Sequence, residues 1–81
     1  MFKVNLVHIS DKVLHEGDAE SVMLPGVCGE LEIGNQHAPI AALLCAGRIS
    51  IRTGEKDTVR VVDIHQGLVR FDGKELHAVV E

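Results

Sequence analysis

Aromatic side chains are nearly absent from this 81-residue sequence, which contains Phe2 and Phe71 and no Trp or Tyr. Side chains that could stack on bases or sugar rings are therefore scarce. Basic charge is scarce as well, because Asp and Glu outnumber Lys and Arg and the formal net charge is −4. Since phosphate backbones require cationic surfaces, the composition argues against a nucleic-acid partner.

Long apolar runs are also missing. The longest run, 38–46, contains Pro39 and is half as long as the roughly 18 residues that a membrane-spanning helix needs. Residues 1–9 alternate between apolar and polar types, whereas a signal peptide has a basic region followed by an apolar one. We therefore expect a cytoplasmic protein without a signal peptide.

The sequence lacks the common motifs of catalysis and metal binding. Cys28 and Cys45 lie 17 positions apart, outside the paired spacings of zinc and dithiol sites. We expect free, mostly buried thiols, with a disulfide as the alternative. GxSxG, GxGxxG and GxxxxGK do not occur. No HxH or HExxH pattern connects the five histidines, which are His8, His15, His37, His65 and His77.

Two carboxylates, Glu30 and Glu32, could be considered as a general acid and base. Their alternation places both on the open face of one strand, where neither is desolvated enough to separate the two titrations. A solvated or partner-facing acidic strip is the better interpretation, and no cofactor is expected.

The residues that are abundant favour β-strands. Val and Ile together number 17, and Pro and Gly interrupt the chain at short intervals. The length suffices for one small domain, 1–81, which would bury only about 60 to 65% of its unfolded surface. Eight or nine short strands at this spacing indicate an antiparallel sandwich or barrel.

The strand predictions follow apolar alternation and turn residues. Turns are expected at Gly17-Asp18, at Pro25-Gly26, at 54–57 and at Asp72-Gly73. The unbroken apolar run 40–45 indicates a strand covered on both sides, although periodicity leaves a short buried helix open. The predicted strands are 2–6, 12–15, 19–24, 28–33, 40–45, 48–53, 58–64, 68–71 and 76–80.

The stretch 29–40, GELEIGNQHAPI, is the most specified part of the chain. Gly29, Gly34 and Pro39 indicate unusual backbone turns, and Glu30, Glu32 and His37 give the stretch a dense group of ionisable side chains. A loop with this much specification usually holds side chains for contact with another molecule.

Several of these residues carry a resemblance to a known family. GEL, Ile33, HAPI at 37–40, Leu44, GRI at 47–49 and IR at 51–52 closely resemble the N-terminal β-sandwich of the epsilon subunit of F-type ATP synthases. FKVNLV and EGDAESVMLPG resemble its first strands, and the last 18 residues resemble its closing strands, so the resemblance covers nearly the whole chain. It implies a small antiparallel β-sandwich of eight to ten short strands.

The resemblance also implies a function. Proteins of this family are non-catalytic rotor subunits of the central stalk, on the cytoplasmic face of the bacterial inner membrane, in a proton- or sodium-translocating synthase. Their partners are the gamma subunit and the ring of c subunits. A stand-alone β-sandwich adaptor that binds another protein, and a small metal-dependent β-enzyme, are the alternatives. Carried onto this sequence, the c-ring contacts would be Gly29, Glu30 and Leu31, and the gamma contacts would be His8, His37, Ala38, Pro39 and Ile40.

The sequence departs from the family pattern in four places. Glu32, Asn35 and Gln66 stand where the family commonly has Gly, Pro and Gly, so the path of the loop at 32–36 is open. Typical members continue into two helices that bind ATP in some species and block rotation, whereas this sequence stops at Glu81. We therefore expect neither inhibition nor nucleotide binding from such helices.

Overall fold

The computed structural model describes residues 1–54 and 59–81, and these residues form nine β-strands and no helix. No described segment is therefore a helix long and apolar enough to cross a membrane. The strands are β1 Phe2–His8, β2 Val13–Ala19, β3 Ser21–Gly26, β4 Gly29–Gly34, β5 Ile40–Leu44, β6 Gly47–Arg52, β7 Val59–Ile64, β8 Gly67–Phe71 and β9 Glu75–Val80.

The strands form two layers of one folded sheet. The first layer has the order β2-β1-β9-β8-β5, and the second contains β7, β6, β3 and β4. The layers join where Gly26 of β3 lies opposite Leu44 of β5. Pairing is antiparallel except between β1 and β9, which run parallel. The all-β sandwich prediction is confirmed, with this one parallel pair as the exception.

The space between the layers is filled by aliphatic side chains at alternating strand positions. Phe2, Val4 and Leu6 point inward from β1, as their alternation predicts. Phe71 packs edge-on against Phe2 with a centroid separation of 5.3 Å. Each buried aliphatic side chain contributes about 1.5–3 kcal/mol of hydrophobic free energy relative to full exposure. Other members of this core are Val22, Leu24, Ile33, Ile49, Ile51, Ile64, Val69, Leu76 and Val80.

Two predicted turns are wrong, because both lie inside strands. Gly17 and Asp18 belong to β2, where they pair with Val4 and Lys3 of β1. Pro25 and Gly26 belong to β3, and the chain turns at Val27 and Cys28 instead. A proline fits in β3 because its carbonyl can still accept a bond, which the backbone N–H of Cys45 donates at 2.8 Å.

The interpretation of 40–45 also needs correction. The segment is a strand, which removes the helix alternative, but it is not covered on both sides. Leu44 points into the core, whereas Ala41 and Leu43 are exposed on the outer face. In this protein, the unbroken apolar run therefore corresponds to a strand whose outer face is apolar and exposed to solvent.

The two cysteines are free, as predicted, but they are exposed rather than buried. Cys28 lies in the turn between β3 and β4, and Cys45 follows the last residue of β5. Both are therefore outside the alternation that sends side chains into the core. The Cys45 thiol donates to the Pro25 carbonyl at 3.3 Å.

The hairpin between β8 and β9 is confirmed, but its turn lies one residue later than the predicted Asp72-Gly73. Its two central residues are Gly73 and Lys74, because the N–H of Asp72 donates to the Glu75 carbonyl at 3.2 Å. Gly73 has a φ of +103°, a conformation that favours glycine. The hairpin predicted at 54–57 lies outside the described residues, apart from Gly54.

Candidate partner-binding surface

The first half of the stretch 29–40 is an edge strand. β4 pairs with β3, from Gly29 opposite Gly26 to Gly34 opposite Ser21, and β3 is its only partner among the described residues. Ile33 is buried and Leu31 half-buried, while Glu30 and Glu32 are exposed. The predicted alternation is confirmed, and Glu30 belongs to a strand rather than to a loop.

The second half is a turn followed by an extended connection to β5. The N–H of His37 donates to the Gly34 carbonyl at 3.3 Å, which closes a turn over Asn35 and Gln36. Gln36 has a φ of +65°, typical of the third residue of a type II turn. A glycine would take this φ more readily, so a local strain accompanies the Gln side chain.

His37 is fixed by two contacts. Its ring lies edge-on to Phe71, at a centroid separation of 6.1 Å. Its Nδ1 atom is 2.6 Å from the Ala38 carbonyl oxygen, to which Nδ1–H donates. Ala38 and Pro39 remain exposed beside this anchored ring, and Ile40 begins β5 half-buried. The connection therefore presents a short rigid surface.

The structure separates the residues assigned to gamma. His37 packs against Phe71, at the end of the first layer where β1 begins with Phe2. His8 is the last residue of β1 and lies opposite Val80 at the other end. The seven residues of β1 span about 20 Å at roughly 3.3 Å per residue. His8 thus lies at the end that also holds Leu44, Gly26 and Gly29, by the successive strand registers.

The outer face of the first layer carries a row of apolar side chains that the sequence analysis did not predict. Strand register aligns Val13 with Val7, Val7 with Val79, Val79 with Leu68, and Leu68 with Leu43. We call these five residues the apolar stripe. Val13, Val79, Leu68 and Leu43 are 53%, 49%, 53% and 63% exposed, and Val7 is half-buried. The stripe crosses β2, β1, β9, β8 and β5 near the ends that hold His8 and Leu44.

Two open grooves connect the stripe with β4. The first, of about 580 Å³, is lined by Ile9, Leu43, Leu68 and Val79, and by Val27 from the turn before β4. The second, of about 490 Å³, is lined by Val27, Leu43 and Ile40 together with Gly29, Glu30 and Leu31. The structure therefore brings the residues assigned to the c ring beside Ile40. Val27 and Leu43 line both grooves and make one continuous surface.

Most of the row next to the stripe on the first layer's outer face is polar. The row next to the stripe contains Asn5, His77 and Arg70, whose registers align across β1, β9 and β8. His77 and Glu75 approach to 3.1 Å. Within residues 1–54 and 59–81, no three His, Cys, Asp or Glu side chains are grouped to hold a metal ion. The stripe is therefore an exposed apolar surface with a polar row along one side.

Comparison with known proteins identifies the family of this fold. An epsilon chain of ATP synthase from Leptospira interrogans is 31% identical over 71 residues, covering 88% of this chain and 54% of that protein. One from Sulfurimonas denitrificans is 39% identical over 69 residues, covering 85% and 52%. This chain therefore spans about half the length of these relatives.

Solved structures share the fold at low sequence identity. A chain in the central stalk and c-ring structure of Tetrahymena thermophila mitochondrial ATP synthase has a TM-score of 0.79 at 18% identity, covering 98% of this chain and 62% of that one. A chain in the Euglena gracilis mitochondrial ATP synthase has a TM-score of 0.86 at 12% identity, covering 98% and 49%. The family model described as ATP synthase, Delta/Epsilon chain, beta-sandwich domain matches residues 1–81, and the chain belongs to this family.

Proposed function

We propose that this chain acts in the central stalk of an F-type ATP synthase, as a non-catalytic rotor subunit between gamma and the c ring. The synthase would translocate protons or sodium ions, and the chain would be peripheral, at the cytoplasmic face of a bacterial inner membrane. Family membership and the epsilon-chain names of its relatives support this proposal. The structure of similar fold from Tetrahymena is titled as a central stalk with c ring.

The apolar stripe is the observation that carries the proposal. Contiguous exposed apolar patches on small soluble domains commonly mark protein interfaces. The stripe is built from five separate strands and is bordered by a polar row, as in the apolar core and polar rim of an interface. We propose that gamma covers it.

We also propose roles for the residues of the stretch 29–40. On the outer face of β5, Ala41 is exposed next to Leu43 of the stripe. A partner that covers this face of β5 would therefore reach Ala38 and Pro39, which precede the strand. His37 and Ile40 would position that surface, and His8 would contact the same partner at the far end of the stripe. In this proposal, one gamma surface would extend along the first layer and would reach both His8 and His37.

The c ring is proposed to contact Gly29, Glu30 and Leu31. Glu30 is exposed on an edge strand next to the second groove, where its charge can attract basic or polar loops. Leu31 packs against the core and would hold the strand in place. We propose that residues 1–81 fold as one domain, which the single core cluster supports, and that it acts without a cofactor.

A pair of matched substitutions tests the gamma interface. Val79→Asp introduces a charge into the stripe, and Val61→Asp introduces it at the equally exposed β7 position of the second layer, 51% exposed against 49%. Losing a central interface anchor typically costs 2 kcal/mol or more, so we expect Val79→Asp to weaken binding to purified gamma roughly 30-fold. Val61→Asp should leave the affinity within about twofold.

Calorimetric titration against gamma measures both variants, with circular dichroism as the check that each is folded. Equal losses of gamma affinity in the two variants would show that the added charge weakens binding at either position. In that case the stripe would not be the interface. If the wild-type chain binds neither gamma nor the c ring, the stalk function fails and the adaptor alternative is favoured.

A further inference from the structure

The turn between β1 and β2 is held by the side chain of His8. Its Nδ1 atom lies 3.1 Å from the backbone nitrogen of Ser10 and 2.7 Å from the Ser10 hydroxyl. The His8 backbone is bonded as well, since its N–H donates to Lys12 at 2.7 Å and its carbonyl accepts from Asp11 at 2.8 Å. Asp11 has a φ of +71°, an unusual conformation that these bonds hold in place.

This geometry specifies the protonation state of the imidazole. A backbone N–H can only donate, so the Nδ1 atom facing Ser10 must carry a lone pair. The ring is then neutral, with its proton on Nε2. An imidazolium carries N–H groups at both positions and would place two donors against each other. His8 thereby performs the role of Asn or Asp in an Asx-turn, whose side-chain oxygen accepts from the backbone two residues on.

The turn is continuous with the apolar stripe. Val7 of the stripe precedes His8, and Val13 follows the turn at the start of β2. Ile9, which is 62% exposed and lines the first groove, lies directly between His8 and Ser10. The Ile9 N–H donates to the Val80 carbonyl at 2.8 Å, so a change in the turn acts on both β1 and β9.

We propose that His8 is a pH-sensitive latch, which shapes this end of the stripe when neutral and releases it when protonated, so that partner binding weakens at acidic pH. The partner step rests on the proposed function, whereas the latch itself does not. The charged and titratable groups that neighbouring segments bring to this end are Asp11 and Lys12 in the turn, Glu81 after β9 and His65 after β7. Glu81 is bonded by the Gln66 amide.

Two substitutions at His8 distinguish a latch from a structural residue. His8→Asn keeps an acceptor for the Ser10 N–H but cannot be protonated near neutral pH, so the turn should stay closed at every pH tested. His8→Ala removes the acceptor and should leave the turn open throughout. The wild-type chain is compared at about pH 8, where it should resemble His8→Asn, and at about pH 5.5, where it should resemble His8→Ala.

Nuclear magnetic resonance on the isolated chain measures the latch directly. Long-range ¹H–¹⁵N spectra should show His8 as the Nε2–H tautomer at about pH 8. Exchange of the Ser10 amide, referenced to the unstructured rate at each pH, should rise roughly threefold to tenfold on acidification in the wild type alone. An Nδ1–H tautomer at pH 8, or equal acid sensitivity in His8→Asn, would overturn the proposal.

Binding to purified gamma at the same two pH values tests the partner step. We expect the wild-type affinity to fall roughly threefold to tenfold on acidification and the His8→Asn affinity to change by less than about twofold. If the NMR measurements show the latch but gamma binding does not depend on pH, the latch acts only on the turn, and its regulatory role is overturned. Absence of gamma binding at both pH values would instead refute the proposed function.

Discussion

His15 has an environment unlike that of the exposed His65 in this chain. His15 pairs with Leu6 and points toward the core from β2, where it is half-buried. Its Nε2 atom has no hydrogen-bond partner within the described residues. Burial lowers the pKa of the His15 imidazole from its ordinary value, and the nearby Arg60 guanidinium lowers this pKa further. The folded state therefore disfavours a proton on His15.

This lowered pKa predicts how stability responds to acid. The unfolded chain takes up a proton near the ordinary pKa of about 6.5, whereas folded His15 does so only at lower pH. The folded state then binds fewer protons, so its free energy of unfolding decreases as the pH falls through this window. His15→Leu should remove that part of the decrease, as measured by urea unfolding at a series of pH values.

The control is His65→Leu at an exposed position. It should leave the slope of stability against pH close to that of the wild type. A His15→Leu slope that matches both would show that the buried imidazole does not contribute to acid sensitivity.

A second residue-scale prediction concerns the turn before His37. Gln36 has a φ of +65°, and a left-handed conformation costs a non-glycine residue about 1 kcal/mol. Gln36→Gly should raise the free energy of unfolding by up to about that amount, less the entropy that glycine adds to the unfolded chain. Gln36→Val should lower it, since a β-branched residue tolerates this φ poorly.

Thermal unfolding of both variants tests this prediction. Stabilisation by valine, or loss of stability with glycine, would contradict the turn geometry. The same position explains why the sequence left the path of 32–36 open, because no local pattern reveals that a glutamine occupies a conformation suited to glycine.

At the scale of elements, the β8–β9 hairpin depends on one carboxylate. The Asp72 Oδ1 atom accepts from the backbone N–H groups of Lys74 and Glu75, each at 2.8 Å. The hydrogen bond from the Glu75 N–H makes the larger contribution to lowering the pKa of Asp72 below its ordinary value, and the bond from the Lys74 N–H lowers it further. The stabilisation is present above the unfolded pKa of about 3.9 and is lost as the pH falls through the lowered folded value.

We expect Asp72→Ala to lower the melting temperature at neutral pH, because both N–H groups lose their acceptor. Asp72→Asn keeps an acceptor oxygen and should lower the melting temperature less. It should also remove the part of the acid-dependent loss of stability that Asp72 contributes. Melting curves at neutral and acidic pH compare the two variants. Equal melting temperatures for Ala and Asn would show that the side chain does not organise the turn.

Strand prediction from the sequence succeeds where one face is polar. Alternation identifies β1, β4 and β6, because each places apolar residues inward and polar residues outward. It fails for β5, since an exposed apolar face has the same pattern as a fully covered strand. The turn signals Gly17-Asp18 and Pro25-Gly26 also mislead, because pairing with neighbouring strands outweighs local turn preference.

At the scale of the whole molecule, the sequence predicts the fold class and the exposure of Glu30 and Glu32. It does not predict the apolar stripe, because its five residues come from five strands and only the registers align them. The separation of His8 from His37 depends on the same long-range pairing. Local patterns specify which residues face outward, whereas topology determines which outward residues become neighbours.

The parallel pair of β1 and β9 also affects how this protein can be made. β1 can form its hairpin with β2 early in synthesis, but its other edge stays unpaired until β9 leaves the ribosome. An open edge next to half-buried Val7 and exposed Ile9 is a site for pairing with other chains. Nascent molecules are therefore most prone to aggregation before β9 has emerged, and a ribosome stalled upstream of Glu75 holds the chain in that state.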